Sequence, residues 1–156
     1  MTVHVFSEAI DLMTVLLDDG EHEPPTFSNI IESFKRISEQ SQPGDVVFIQ
    51  FSGHGSRLIG SPSTDQGESY DEVIIPSDYQ ENGPIRDTLI FKTLLAPMRY
   101  GVTITMLIDS CDTGMVLDLP YAWSTRNDSP GALTKMIQNE DFSFVRFLKV
   151  IKTLYE

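Results

Sequence analysis

The stretch DVVFIQFSGHG, Asp45 to Gly55, is apolar at nearly every position from Val46 to Phe51 and then breaks into Ser52 and a histidine, His54, held between two glycines. A second stretch, TITMLIDSCDTG, Thr103 to Gly114, has the same construction: the run Val102 to Ile108 ends in Asp109-Ser110-Cys111-Asp112 and carries the only cysteine of the chain. Short runs rich in β-branched and aromatic residues, apolar without a break, suit strands covered on both faces, and parallel sheets are built from such strands. Open α/β sheets place their ligand sites beyond the carboxyl ends of those strands. If the two strands are neighbours, His54 and Cys111 meet at one edge of the sheet although 57 positions separate them.

The flanking sequence supports that architecture. MTVLLDDG (Met13 to Gly20) reads as a strand stopped by acidic residues and glycine. In TFSNIIESFKRISEQ, Phe27, Ile30, Ile31, Phe34 and Ile37 recur at helical spacing, Thr26 is available as N-cap, and Pro43-Gly44 lies beyond the end. SRLIGSPSTDQGESYD is polar and predicts a long loop, of a length that is usually functional or disordered. EVIIPSDY predicts a further strand, and Asp87 a cap for a short helix, Thr88 to Ala96, that Pro97 terminates. PGALTKMIQ and FSFVRFLKVIKTLYE predict two more helices, the second with Phe144, Phe147, Leu148 and Ile151 along one side. The order of elements describes an α/β fold with a mostly parallel sheet flanked by helices. It forms one domain over residues 1–156, of which 122–156 is a helical C-terminal extension.

Composition narrows the functions. A chain of 156 residues with 40% hydrophobic and 22% charged residues is ordinary for one globular domain. The net charge of −12 opposes binding to nucleic acid or anionic lipid, whose phosphates need clustered Lys and Arg. Basic substrates and metal cations are the more natural partners. A lone cysteine excludes an intramolecular disulfide, and no apolar run reaches membrane-spanning length. The expected setting is reducing and cytoplasmic, without a membrane.

The pair His54 and Cys111 has a chemical reading. A thiol attacks as its thiolate, so a nucleophilic cysteine needs a neighbouring base and an exposed position, which a histidine and a strand-end loop supply. Glycines beside His54 leave backbone N–H groups accessible to an oxyanion. The plainer reading is that Cys111 is a small buried hydrophobe and His54 a structural or merely exposed residue. What favours chemistry is that both stand at corresponding strand ends, each in a short polar loop containing glycine.

FSGHGS, YDEVIIPSDY, IRDTLI and IDSCDTGMVLDLPY, in that order, resemble the metacaspases, caspase-like cysteine peptidases. The resemblance runs from about Met13 to Tyr121 and more faintly through FSFVRFLKVIKTLYE. It implies a caspase-hemoglobinase fold and a cysteine endopeptidase that cleaves peptides and proteins after Arg or Lys, stimulated in many members by Ca²⁺. By position, His54 matches the catalytic histidine and Cys111 the nucleophile, with the N–H groups of Gly55 and Cys111 as oxyanion donors. Ser52 and Asp109 match the pocket for the basic P1 side chain. Asp71, Asp87 and Asp118 match three aspartates of the calcium site; apart from the resemblance they read as solvated loop charge.

The chain also departs from the family pattern. Set against it, the strand and helix that precede anything like MTVLLDDG are missing, as is the small-subunit half, so an exposed sheet edge and association with an intact homologue or a missing subunit are expected. Asp112 stands where the family has histidine, and a carboxylate beside Cys111 disfavours its thiolate by like-charge repulsion. Thr88 replaces the second of two consecutive aspartates, which weakens Ca²⁺ binding. Arg126 and Lys135 are candidate self-cleavage positions. Two other functions follow if chemistry is lost: a caspase-like module that binds or regulates a homologue, or a calcium-binding domain whose cysteine senses redox state.

Overall fold

The computed structural model describes residues 2–7, 13–59, 70–111, 121–124 and 135–138. The chain divides into two units, residues 1–116 and 117–156.

The first unit opens with strand β1, Thr2–Ser7, and β2, Thr14–Leu17. Helix α1, Phe27–Gln40, follows. Its apolar spacing works as expected: Ile30, Ile31, Phe34 and Ile37 are buried. Two acceptors hold its amino end, since Thr26 Oγ1 takes the Asn29 N–H at 3.3 Å and Asp78 Oδ1 takes the Phe27 N–H at 2.7 Å. Beyond α1 come β3, Val46–Ser52, and β4, Gly55–Ile59. Then follow β5, Tyr70–Ile74, the short helix α2, Tyr79–Asn82, and β6, Ile85–Arg86. Helix α3, Asp87–Ile90, runs into a π-helical turn over Phe91–Leu95, closed by the Ala96 N–H donating to the Phe91 carbonyl at 2.8 Å. The last strand of the unit is β7, Thr103–Asp109.

Strands β2-β1-β3-β7 form one sheet in that order and β4-β5-β6 another. The first sheet is mixed rather than mostly parallel, because β1 runs antiparallel to both β2 and β3 and only β3 and β7 run parallel among its described pairs. Ahead of MTVLLDDG, where the family pattern led us to expect no strand, residues 2–7 form one that pairs with both β2 and β3. The second sheet also corrects an expectation. The first residues of the polar stretch after His54 are strand β4, made so by its antiparallel pairing with β5, Gly55 opposite Ile74 through Ile59 opposite Tyr70.

The core gathers Leu16, Phe34, Val47, Ile49, Phe51, Val73, Ile85, Ile90 and Leu94 with the buried face of α1. β7 is covered less completely than its apolar run suggests. Its Thr103, Thr105, Leu107 and Asp109 are exposed, whereas Ile104, Met106 and Ile108, partners of buried Val47, Ile49 and Phe51, are half-buried.

The second unit contains β8, Tyr121–Ser124, paired antiparallel with β9, Lys135–Gln138. Part of PGALTKMIQ is thus a strand and not a helix, because cross-strand pairing outweighs its helical composition. The helix expected over FSFVRFLKVIKTLYE lies outside the described residues.

Candidate active site

Register decides what β3 and β7 present at their carboxyl ends. It is set at their amino ends, where the Gly44 N–H donates to the Gly101 carbonyl at 2.8 Å and the Thr103 N–H to the Asp45 carbonyl at 2.9 Å. Both glycines stand in the left-handed region, Gly44 at φ 98° and Gly101 at φ 91°, and a Cβ on Gly101 would meet the Pro43 side chain at 3.4 Å. From there the parallel ladder pairs Val46 with Thr103 and continues without a slip to Ser52 with Asp109. A one-residue slip would turn every buried side chain of β3 to the wrong face, so the apolar pattern enforces the register.

The last pair of that ladder is Ser52 and Asp109. The Gly53 N–H donates to the Asp109 carbonyl at 3.2 Å and carries the contact one residue further. His54 and Cys111 each follow two positions beyond the paired residues, at the same edge. Both are exposed. The turn that carries His54 is pinned, because its carbonyl accepts the Ile75 N–H at 2.9 Å and Gly55 immediately enters β4. Among the described residues the glycines with positive φ are Gly20, Gly44, Gly83 and Gly101, so Gly53 and Gly55 do not serve there by left-handed conformation. Ser52 is half-buried and Asp109 exposed.

The acidic residues assigned to calcium fall elsewhere. Asp71 lies in β5 and Asp87 begins α3, which packs on that strand; both are buried. Asp87 Oδ1 accepts the Thr88 N–H at 2.5 Å. Asp71 Oδ2 accepts from Arg86 Nη1 at 2.5 Å. The next residue, Glu72, is likewise buried and is paired with Arg57 at 3.3 Å. Asp112 and Asp118 lie outside the described residues. Neither arginine figured among the expected site residues, although a signal was there. Two consecutive acids in an otherwise apolar strand face opposite sides of the sheet, so each calls for a cation on a neighbouring strand.

A family model described as metacaspase, peptidase C14 domain, matches residues 1–120. Over 146 residues the chain is 39% identical to Metacaspase III c of Phaeodactylum tricornutum, a match covering 94% of this chain and 42% of that protein. It is 42% identical over 116 residues to Metacaspase-1B of Aspergillus terreus, covering 73% of this chain and 30% of the relative. Against Metacaspase-1A of Neurospora crassa the identity is 39% over 116 residues, covering 73% and 25%. The chain therefore spans less than half the length of each of these relatives.

Proposed function

This chain belongs to the metacaspase family of C14 cysteine peptidases, and from that premise we propose that it is an endopeptidase cutting peptide bonds after Arg or Lys with Cys111 as nucleophile and His54 as its proton carrier. The single observation that carries the reading is the matched offset at one sheet edge: Ser52 faces Asp109 across the ladder, and His54 and Cys111 each follow two positions later.

The steps follow from those positions. The Asp109 carboxylate draws in the guanidinium or ammonium of P1, and Ser52 offers its hydroxyl beside it. His54 takes the thiol proton, and Cys111 Sγ attacks the carbonyl carbon. The resulting oxyanion is held by the N–H groups of Gly55 and Cys111. Collapse breaks the C–N bond, His54 passes its proton to the leaving amine, and a thioester remains. Water, deprotonated by His54, then adds to that carbonyl, breaks the C–S bond and releases the acid with the thiol restored. A free thiol of this kind works in a reducing setting such as the cytoplasm.

Calcium belongs to the same reading. Buried carboxylate oxygens on adjoining elements, Asp71 and Asp87, are the donor chemistry that a hard cation prefers. Asp71 is already bonded to Arg86, and among the described residues no group of three or more His, Cys, Asp or Glu could hold a metal ion, so these two acids would not hold Ca²⁺ by themselves and calcium stimulation would draw on further ligands, Asp118 among them.

The experiment is hydrolysis of an Arg-based fluorogenic peptide, with and without millimolar Ca²⁺, by the chain and by Cys111→Ala. Cysteine-dependent release supports the proposal. Labelling by a peptidyl-Arg chloromethylketone that requires His54 supports the site even where turnover is slow. Neither turnover nor labelling at any calcium level refutes it, and activity arising only beside a homologous chain assigns this one a regulatory part instead.

A further inference from the structure

Among the described strands of the first unit, the outer edge of β7 lacks the protection that the other edges have. β2, at the far side of the same sheet, is four residues long and runs straight into Asp18-Asp19. In the second sheet, β4 carries Arg57 and β6 has two residues. Short strands and charged side chains are the devices that keep an edge from pairing with another chain. β7 has seven residues, no proline, no glycine and a single charge, Asp109, at its last position, and among the described residues no strand lies on its far side. Its bonds also fix which backbone groups face outward. The Thr103 N–H donates to the Asp45 carbonyl and the Asp109 carbonyl accepts the Gly53 N–H, both toward the β3 side. Backbone groups alternate along a strand, so Thr103, Thr105, Leu107 and Asp109 turn theirs to β3, while Ile104, Met106 and Ile108 turn theirs away from it.

We propose that two copies of this chain join β7 to β7, antiparallel, about a two-fold axis at Met106. In this register Ile104 stands opposite Ile108 of the partner subunit, and Met106 opposite the partner's Met106. These are the residues whose N–H and C=O face outward, so each pair exchanges both bonds. A shift by one residue would set outward groups against inward ones. The faces agree as well: half-buried Ile104, Met106 and Ile108 extend the core side of the sheet, while exposed Thr105 meets the partner's Leu107, a residue 51% exposed in the single chain. Charge selects the same arrangement. The chain carries −12, yet the one carboxylate of the strand lies opposite the partner's Thr103, and the two Asp109 side chains stand at opposite ends of the pair. A parallel, in-register pairing would set them side by side at about 4.8 Å. A patch that complements itself under a two-fold closes as a dimer, which is why the occupant is a second copy. Strand β7 of one copy then ends where that of the other begins, so the Asp109 end that leads to Cys111 meets the loop before the partner's Thr103, which carries a tyrosine, Tyr100, 99% exposed in the single chain.

Sedimentation velocity over a concentration series tests this without reference to turnover. The unaltered chain is expected to show a reversible monomer–dimer equilibrium. Met106→Pro removes the outward N–H at the axis and leaves the bonds to β3 intact, so dimers should be lost. Leu107→Lys, at an exposed position, puts like charges close to the axis and should weaken the dimer about tenfold. Register is read by cysteine pairing in a Cys111→Ala background. Positions 105 and 107 of the two copies face each other with Cα atoms about 4.5 Å apart, within disulfide reach. A mixture of Thr105→Cys and Leu107→Cys chains should therefore oxidise to a linked dimer faster than either chain alone. A monomer at every concentration overturns the proposal, as does a dimer indifferent to both substitutions or a mixture that links no faster. Dimers formed with a homologous chain and never with itself also overturn it, in favour of a different partner for this edge. Should Met106→Pro unfold, as far-UV circular dichroism would show, Leu107→Lys and the cysteine pair decide the matter.

Discussion

Replacing Asp109 by Asn removes a charge at the end of β7 while keeping the shape of the side chain. Asp109 is the ladder partner of Ser52 and is exposed, so an arriving guanidinium meets a hydrated carboxylate rather than a dry one. A hydrogen bond to a charged group contributes about 1.5–3 kcal/mol. Solvent screening at an exposed carboxylate pulls that toward about 1 kcal/mol, which corresponds to roughly a fivefold effect on rate. The assay is kcat/KM for two fluorogenic peptides differing only at P1, one with Arg and one with the neutral isostere citrulline. Asp109→Asn is expected to lower the value for Arg by that factor and leave citrulline unchanged, so that the preference between them shrinks. An equal loss on both peptides would mean that Asp109 supports the strand end and does not read the substrate. No loss on either would refute the pocket assignment.

Stability and pH offer further checks. Phe34 is 2% exposed beneath α1, so Phe34→Ala should cost about 3–5 kcal/mol in urea unfolding, while exposed Glu32→Ala should change stability by less than about 0.5 kcal/mol; a cost below about 1 kcal/mol at Phe34 would contradict the packing described. The loop after β2 predicts an acid transition. Asp19 accepts the N–H groups of Glu21 and His22 and pairs with the His22 ring, and these contacts, Glu21 first, lower its pKa from 3.8 to about 2. A carboxylate depressed on folding stabilises above its ordinary value and loses that contribution as pH falls through the folded one, so the turn should loosen between pH 3.8 and about 2. Nuclear magnetic resonance following the Glu21 and His22 amides should give a midpoint near the lower figure, and one near 3.8 would refute the contacts.

What could be read from the sequence was what local pattern dictates. The spacing of Ile30, Ile31, Phe34 and Ile37 leaves a helix one face to bury, and the runs ending at Ser52 and Asp109 are too short and too β-branched for anything but strands. Their parallel pairing followed from runs that are apolar without a break, which is why His54 and Cys111 were expected at one edge. The rest depended on partners that pattern does not reveal. Residues 56–59 carry only Leu58 and Ile59 as apolar residues and become strand because β5 lies alongside. Thr2–Ser7 become the strand between β2 and β3 through antiparallel pairing on both sides. Lys135–Gln138 have helical composition and pair with Tyr121–Ser124. The exposed face of β7 was visible in its threonines, Thr103 and Thr105, but the hydrophobic run around them concealed the alternation.

The convergence of a thiol and an imidazole is tested most directly by observing one while altering the other. In ¹H–¹⁵N spectra of the histidine rings, carbamidomethylation of Cys111 with iodoacetamide should move the His54 resonances and leave His22, engaged with Asp19 on the loop after β2, where it was. Unmoved His54 resonances after complete modification of Cys111 would contradict the account.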